Sequence, residues 1–223
     1  MANQAFLSIW CREISGPAMG AHFVRLLETV PYSPERPGIA SLTIRAVDPA
    51  EPLLAEFRFT SPAEAEDVAG LVGEYLSADS AYEAEAFWNL WTRSSEGKWA
   101  RGPEGMEIFC FGPEYDEGAP AQEGHFRIRL GFEHLFTGHA GLLGIAGPRG
   151  AGEPQHPAEA EFLRAMQDPA KFREYQERTQ ENVRELFDWT RRIEAALPVE
   201  RYQLWSEGEE NLEARLDEIL AVR

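Results

Sequence analysis

Cysteine is scarce in this chain: 223 residues hold two, Cys11 and Cys110. Both sit in apolar, strand-like runs, so they read as reduced, buried thiols and not as a disulfide framework. Cys110 lies in Ile108-Phe109-Cys110-Phe111, where burial raises a thiol pKa, which argues against a nucleophile there. No apolar run approaches the ~20 residues that a membrane-spanning helix needs. Met1–Glu13 lacks a basic segment followed by an apolar stretch and a small-residue cleavage site, so a cytoplasmic protein without a membrane partner is expected. The phosphate loop Gly-x-x-x-x-Gly-Lys-Ser/Thr, the Gly-x-Ser-x-Gly elbow and a His-Glu-x-x-His pair are all missing. Lysine is nearly missing as well. Lys98 and Lys171 are the two present, leaving 19 of 21 basic residues as arginine; the bias by itself points to no function.

What is abundant is negative charge. The formal net charge is −17, with hydrophobic residues at 43% and aromatics at 11%, a composition that supports a folded core without disulfides or metals. The charge is uneven: −1 over residues 1–60, −10 over 61–120 and −6 over 121–223. Such a field repels phosphate backbones, so no nucleic-acid partner is expected, whereas a cation or a basic protein is attracted. The plainer reading is that the carboxylates keep the chain in solution.

Periodicity divides the chain into elements. Phe6–Ile14 alternates as a strand, with Leu7, Ile9 and Cys11 on one face. Ser15-Gly16-Pro17 opens a helix whose stripe is Met19, Phe23, Leu26, Leu27 and Val30. Ile39–Val47 and Leu53–Phe59 read as a hairpin. Ser61-Pro62-Ala63-Glu64 combines a cap, a first-turn proline and a capping-box glutamate ahead of a second helix. Tyr82 to Leu90 alternates again. The order β-α-β-β-α-β predicts an α+β fold, with a ferredoxin-like unit on an antiparallel sheet over residues 5–92. A strand hairpin (106–112 and 125–132), a long helix from Asp168-Pro169 to Pro198, a short strand (201–206) and a C-terminal helix should follow. This divides the chain into 1–92 and 93–223, packed against each other or forming one continuous domain. Between the second hairpin and the long helix, Gly138, Gly141, Gly144, Gly147 and Gly150 mark a loop, in which Gly147–Gly152 with Arg149 is a weak anion-site candidate.

Two constellations carry the functional expectations. Phe87, Trp91 and Trp99, with Glu83, Glu85 and Glu104, would form an apolar patch rimmed by negative charge if one side of their sheet is open. If both sides are covered, the same pattern is a core. The open case predicts a non-enzymatic interaction protein that binds a basic partner or another subunit and uses no cofactor; an inhibitor or immunity-type role fits such a charge. The alternative is a small-molecule or metal-dependent enzyme with a His/carboxylate site in residues 104–139. His125, His134, His139 and Asp116 are its candidate ligands, since imidazole and carboxylate suit zinc or iron. The i, i+5 spacing of His134 and His139 splays them on any helix, so loops would have to bring them together.

Overall fold

The computed structural model describes residues 3–12, 14–94, 96–139, 142–143 and 156–221. Within them the chain is α+β, with seven helices and one seven-stranded sheet whose paired strands all run antiparallel. The glycine positions 141, 144, 147 and 150 and the anion candidate Gly147–Gly152 fall outside the described residues.

Strand β1 (Gln4–Cys11) alternates as its sequence requires, with Leu7, Ile9 and Cys11 buried against the helices. Helix α1 (Gly16–Glu28) starts where Ser15 accepts the Ala18 N–H at 3.3 Å, with a proline in its first turn, a side-chain cap for an otherwise orphaned donor. It buries Met19, Phe23, Leu26 and Leu27. Strands β2 (Ile39–Ala46) and β3 (Ala55–Ala63) form the expected hairpin. The next helix begins later than the sequence suggests. The Ile39↔Ala63 pairing holds Ser61 to Ala63 in the sheet. Glu64 therefore caps α2 (Ala65–Glu74), in a reciprocal box with Asp67.

Strands β4 (Ser80–Arg93) and β5 (Trp99–Phe111) make a long hairpin, paired from Ala81↔Phe111 to Arg93↔Trp99. Residues 99–105 look unlike a strand because of Gly102, Pro103 and Gly105. Yet β5 meets its other neighbour only over Glu107–Cys110, so Pro103 lies where one side of the strand is free, the position a proline tolerates. After a 3-10 turn (Tyr115–Gly118) and a short α3 (Pro120–Glu123) come β6 (Phe126–Phe132), α4 (His134–Thr137) and α5 (Pro157–Ala165). Helix α6 (Pro169–Ala196) is about 42 Å long at 1.5 Å per residue and is capped by Asp168. Strand β7 (Val199–Ser206) and helix α7 (Leu212–Ala221) close the chain.

The sheet order is β3-β2-β4-β5-β6-β1-β7. The β-α-β-β-α-β succession is present, but its strands are not arranged as a ferredoxin-like unit. In that arrangement the first strand pairs with the last two of its own four; here β1 pairs with β6 and β7. Strand β5 takes the place beside β4 that β1 would need, and β6 lies between β5 and β1. The division at residue 92 likewise falls inside β4, and one sheet runs through both halves.

Helices α1, α2, α6 and α7 share one core with one face of this sheet, built around Phe23, Trp88, Phe136, Leu186, Trp189 and Leu216. Where β4 extends past β2, buried Asn182 of α6 takes over its ladder. Its carboxamide accepts the Trp91 N–H at 2.8 Å and donates to the Trp91 carbonyl at 3.0 Å and the Leu135 carbonyl at 2.9 Å. No helix is long and apolar enough to cross a membrane among the described residues.

Candidate functional site

Among the described residues, the other face of the sheet carries no layer of long helices. Its side chains follow from strand alternation and register. One row across the strands reads Thr43, Glu83, Phe109, Arg127, Ser8 and Gln203; the next reads Ser41, Glu85, Glu107, Arg129, Phe6 and Trp205. The β1–β7 end is aromatic: Phe6 stacks on Trp205 at 4.3 Å, and the Trp205 indole N–H donates to Ser8 Oγ at 3.1 Å. The β4–β5 part is acidic, with Glu83, Glu85 and Glu107 on adjacent strands.

That acidic group is not explained by packing. Glu85 and Glu107 are direct cross-strand partners, and like charges so placed destabilise a sheet. Ser41 donates to Glu85 at 2.8 Å, and Arg129 forms an ion pair with Glu107. Among the described residues no hydrogen bond or ion pair engages the Glu83 carboxylate. Burial pushes its carboxyl above the usual carboxylate range, and the nearby charges of Glu107 and Glu85 add to this while Arg45 opposes it. Burial raises Glu107 too, against the pull of Arg129. Replacing Glu85 by Gln keeps the acceptor for Ser41 and removes the repulsion. Glu85→Gln should therefore raise stability by about 0.2–1 kcal/mol, read as a higher midpoint in urea unfolding; a lower midpoint would show that the pair is not repulsive.

The loop between β5 and β6 folds over one end of this face. Gly112 begins it, donating to the Ser80 carbonyl at 2.8 Å, and its Cα passes so close to the Ala78 carbonyl that no Cβ fits. The Trp10 indole donates to the Ala121 carbonyl at 3.1 Å, tying the loop down over β1. A second tie is the 2.7 Å bond from the Asp116 N–H to the Val47 carbonyl. Val47, Asp116 and Glu117 are the non-glycine residues with positive φ among those described, at 71°, 49° and 55°. For a β-branched residue such as Val47 that backbone is an outlier, and strain of this kind gathers at functional sites. Under the loop is a cavity of about 190 Å³. Phe109, Phe111 and Tyr115 give it stacked rings, with centroids 5.9 Å and 5.7 Å apart along the series. Glu83, Asp116, Glu123, Arg45 and Arg127 give it charge.

No protein-family model, curated protein or solved structure matches the chain. The site is therefore read from its own chemistry.

The six residues anticipated as one aromatic and acidic patch separate into two places. Glu83, Glu85 and Phe87 share the face away from the long helices, Phe87 with the Arg36 guanidinium 3.3 Å from its ring centre. Trp91 is roofed by Arg178 of α6 at 3.9 Å, and its indole donates to Glu181. Trp99 packs beside Tyr175 at 5.6 Å. Together with Glu104 they line a different cavity, of about 250 Å³, which also receives His134, His139 and Tyr175. The double-sided pattern of β4 thus has a mixed cause: helices cover one side, and single arginines cover rings on the other.

Of the four anticipated ligands, only His134 and His139 meet, with ring centres 4.2 Å apart. The Tyr175 hydroxyl accepts the His139 N–H at 2.8 Å and lies 3.0 Å from its Nδ1. His139 is exposed as a residue, but its ring lies against those of His134, Phe162 and Tyr175. That desolvation, with the charges of His134 and Arg93, brings its pKa down to about 4. Asp116 is in the loop over the other cavity. His125 is elsewhere too: its Nδ1 accepts the Cys11 N–H at 3.1 Å, where a register shift leaves β1 irregular against β7. A ring nitrogen so used belongs to a neutral imidazole and is closed to a metal. Among the described residues no three or more His, Cys, Asp or Glu side chains are placed to hold a metal ion.

Glu107, Arg127, Arg129, Phe109 and Phe111 were missed as a group. The signal was present: they are the alternate residues to Met106-Ile108-Cys110 and Phe126-Ile128-Leu130.

Proposed function

We propose that this chain is a binding protein that takes a basic partner protein on the face of its sheet away from the long helices. The observation that supports this most is the adjacency of Glu83, Glu85 and Glu107, two of them directly opposed and two, Glu83 and Glu85, without an ion-pair partner among the described residues. Carboxylates held together against their own repulsion lose that cost when a cation arrives between them. The net charge of −17 favours the same class of partner at long range, by steering that weakens with salt.

The test is titration of isotope-labelled protein with a short oligo-arginine peptide at low salt, followed by amide chemical shifts. Shifts should concentrate on Glu83–Glu85 and Glu107. The double variant Glu85→Gln/Glu107→Gln should weaken binding about tenfold, equivalent to ~1.4 kcal/mol. Shifts scattered over the acidic helices and unchanged in the double variant would refute the reading. A concentration-dependent dimer that protects the same face would replace the basic partner with a second copy.

A further inference from the structure

We propose that the cavity under the β5–β6 loop receives one arginine side chain of that partner. The inference rests on the binding role of that sheet face and adds to it a specific anchor. Size narrows the occupant first. About 190 Å³ is below the ~300 Å³ where pockets for drug-sized ligands begin. It is close to the ~150 Å³ that accommodates a benzene ring. One long side chain fits; a nucleotide or a folded loop does not.

The walls then choose the chemistry. Phe109, Phe111 and Tyr115 present ring faces, and a guanidinium stacks on such faces as well as carrying charge. The site already shows this contact, since the Arg127 guanidinium lies 5.6 Å from the Phe109 ring centre and 5.1 Å from that of Phe111. Of the three lining carboxylates Arg127 engages Glu123, at 3.4 Å, which leaves Glu83 and Asp116. Arg45 points a guanidinium nitrogen to the Glu51 carbonyl at 3.5 Å. Three lining carboxylates against two guanidiniums leave a net charge of −1; of the two without an ion-pair partner among the described residues, Glu83 is half-buried and Asp116 exposed. A planar cation lying on the rings and ending at Glu83 supplies what is missing. An anion would have to displace Glu123 from Arg127 and sit beside Glu83.

The experiment uses blocked Gly-Arg-Gly, with the citrulline, lysine and glutamate versions as comparisons, titrated into the labelled 223-residue chain. The arginine peptide should give saturable shifts at Glu83, Phe109, Phe111 and Tyr115, and the citrulline and glutamate peptides none. Glu83→Gln should weaken it at least tenfold. Thr43→Phe, a strand-compatible ring at the cavity wall, should abolish these shifts while oligo-arginine still perturbs Glu85 and Glu107. Ala119→Leu fills the cavity from the loop side and should do the same, should Thr43→Phe fail to fold. Equal shifts from the citrulline or glutamate peptide, or none from arginine, would overturn the anchor while leaving the oligo-arginine result to judge the face itself. An equal response to lysine would overturn the choice of guanidinium.

Discussion

Asn182→Leu should destabilise the protein by about 3–5 kcal/mol, although leucine is close in size and a better helix former. The reason lies in what is left behind. Asn182 is buried and satisfies three backbone groups, the Trp91 N–H and the carbonyls of Trp91 and Leu135. A buried polar group that loses its partner costs about 1–3 kcal/mol. The hydrocarbon regains part of that through burial. Asn182→Asp separates polarity from geometry: it keeps an acceptor for the Trp91 N–H but turns a carboxylate towards two carbonyls, so it should be at least as damaging as leucine. Urea unfolding gives the free energies, and hydrogen exchange at the Trp91 amide should accelerate first, because β4 loses its lateral partner there. A leucine variant as stable as the parent would mean that this junction does not hold α6 to the sheet.

Trp189→Ala should cost about 3–5 kcal/mol, the usual range for removing a large aromatic side chain from a core. Trp189 is fully buried, packs its ring 5.5 Å from that of Trp88, and donates its indole N–H to Thr29 Oγ1 at 3.0 Å. It thereby joins α6, β4 and the end of α1. In a chain of this length each kcal/mol moves the melting midpoint by about 2–4 °C, so a fall of at least ~6 °C is expected by calorimetry. Trp189→Phe should recover most of it. Thr29 Oγ1 also donates to the Leu26 carbonyl at 2.7 Å, so losing the indole leaves no orphaned hydroxyl. A phenylalanine variant as unstable as alanine would instead locate the energy in the hydrogen bond.

Local structure was legible wherever periodicity and caps coincide. Asp168-Pro169 predicts the start of α6, and the alternation after Tyr82 predicts the faces of β4. The strand order was not legible, because it depends on which strands find each other across the sequence: Ala5 pairs with Gly131 on one side and Ser206 on the other. The start of α2 was misplaced for the same reason, since Ile39 holds Ala63 in the sheet against its local cap signal. At the site, alternation placed Glu83, Glu85 and Phe87 on one face correctly. Trp91 obeys the same alternation but meets α6, whose path no local pattern reveals. His134 and His139 meet although their spacing predicts divergence, because His134 sits at the start of the short α4 and His139 lies beyond its end.

The position of β1 between β6 and β7 also sets the order of events while the chain is being made. Emerging first, β1 has no neighbour until residues 126–132 appear and only one until 199–206. Contacts so distant in sequence are slow to form and leave strand edges bare meanwhile. Leu7, Ile9 and Cys11 therefore depend on shelter from α1 or from outside help through most of synthesis. A ribosome stalled before β7 would present β1 as a ready template for the wrong strand.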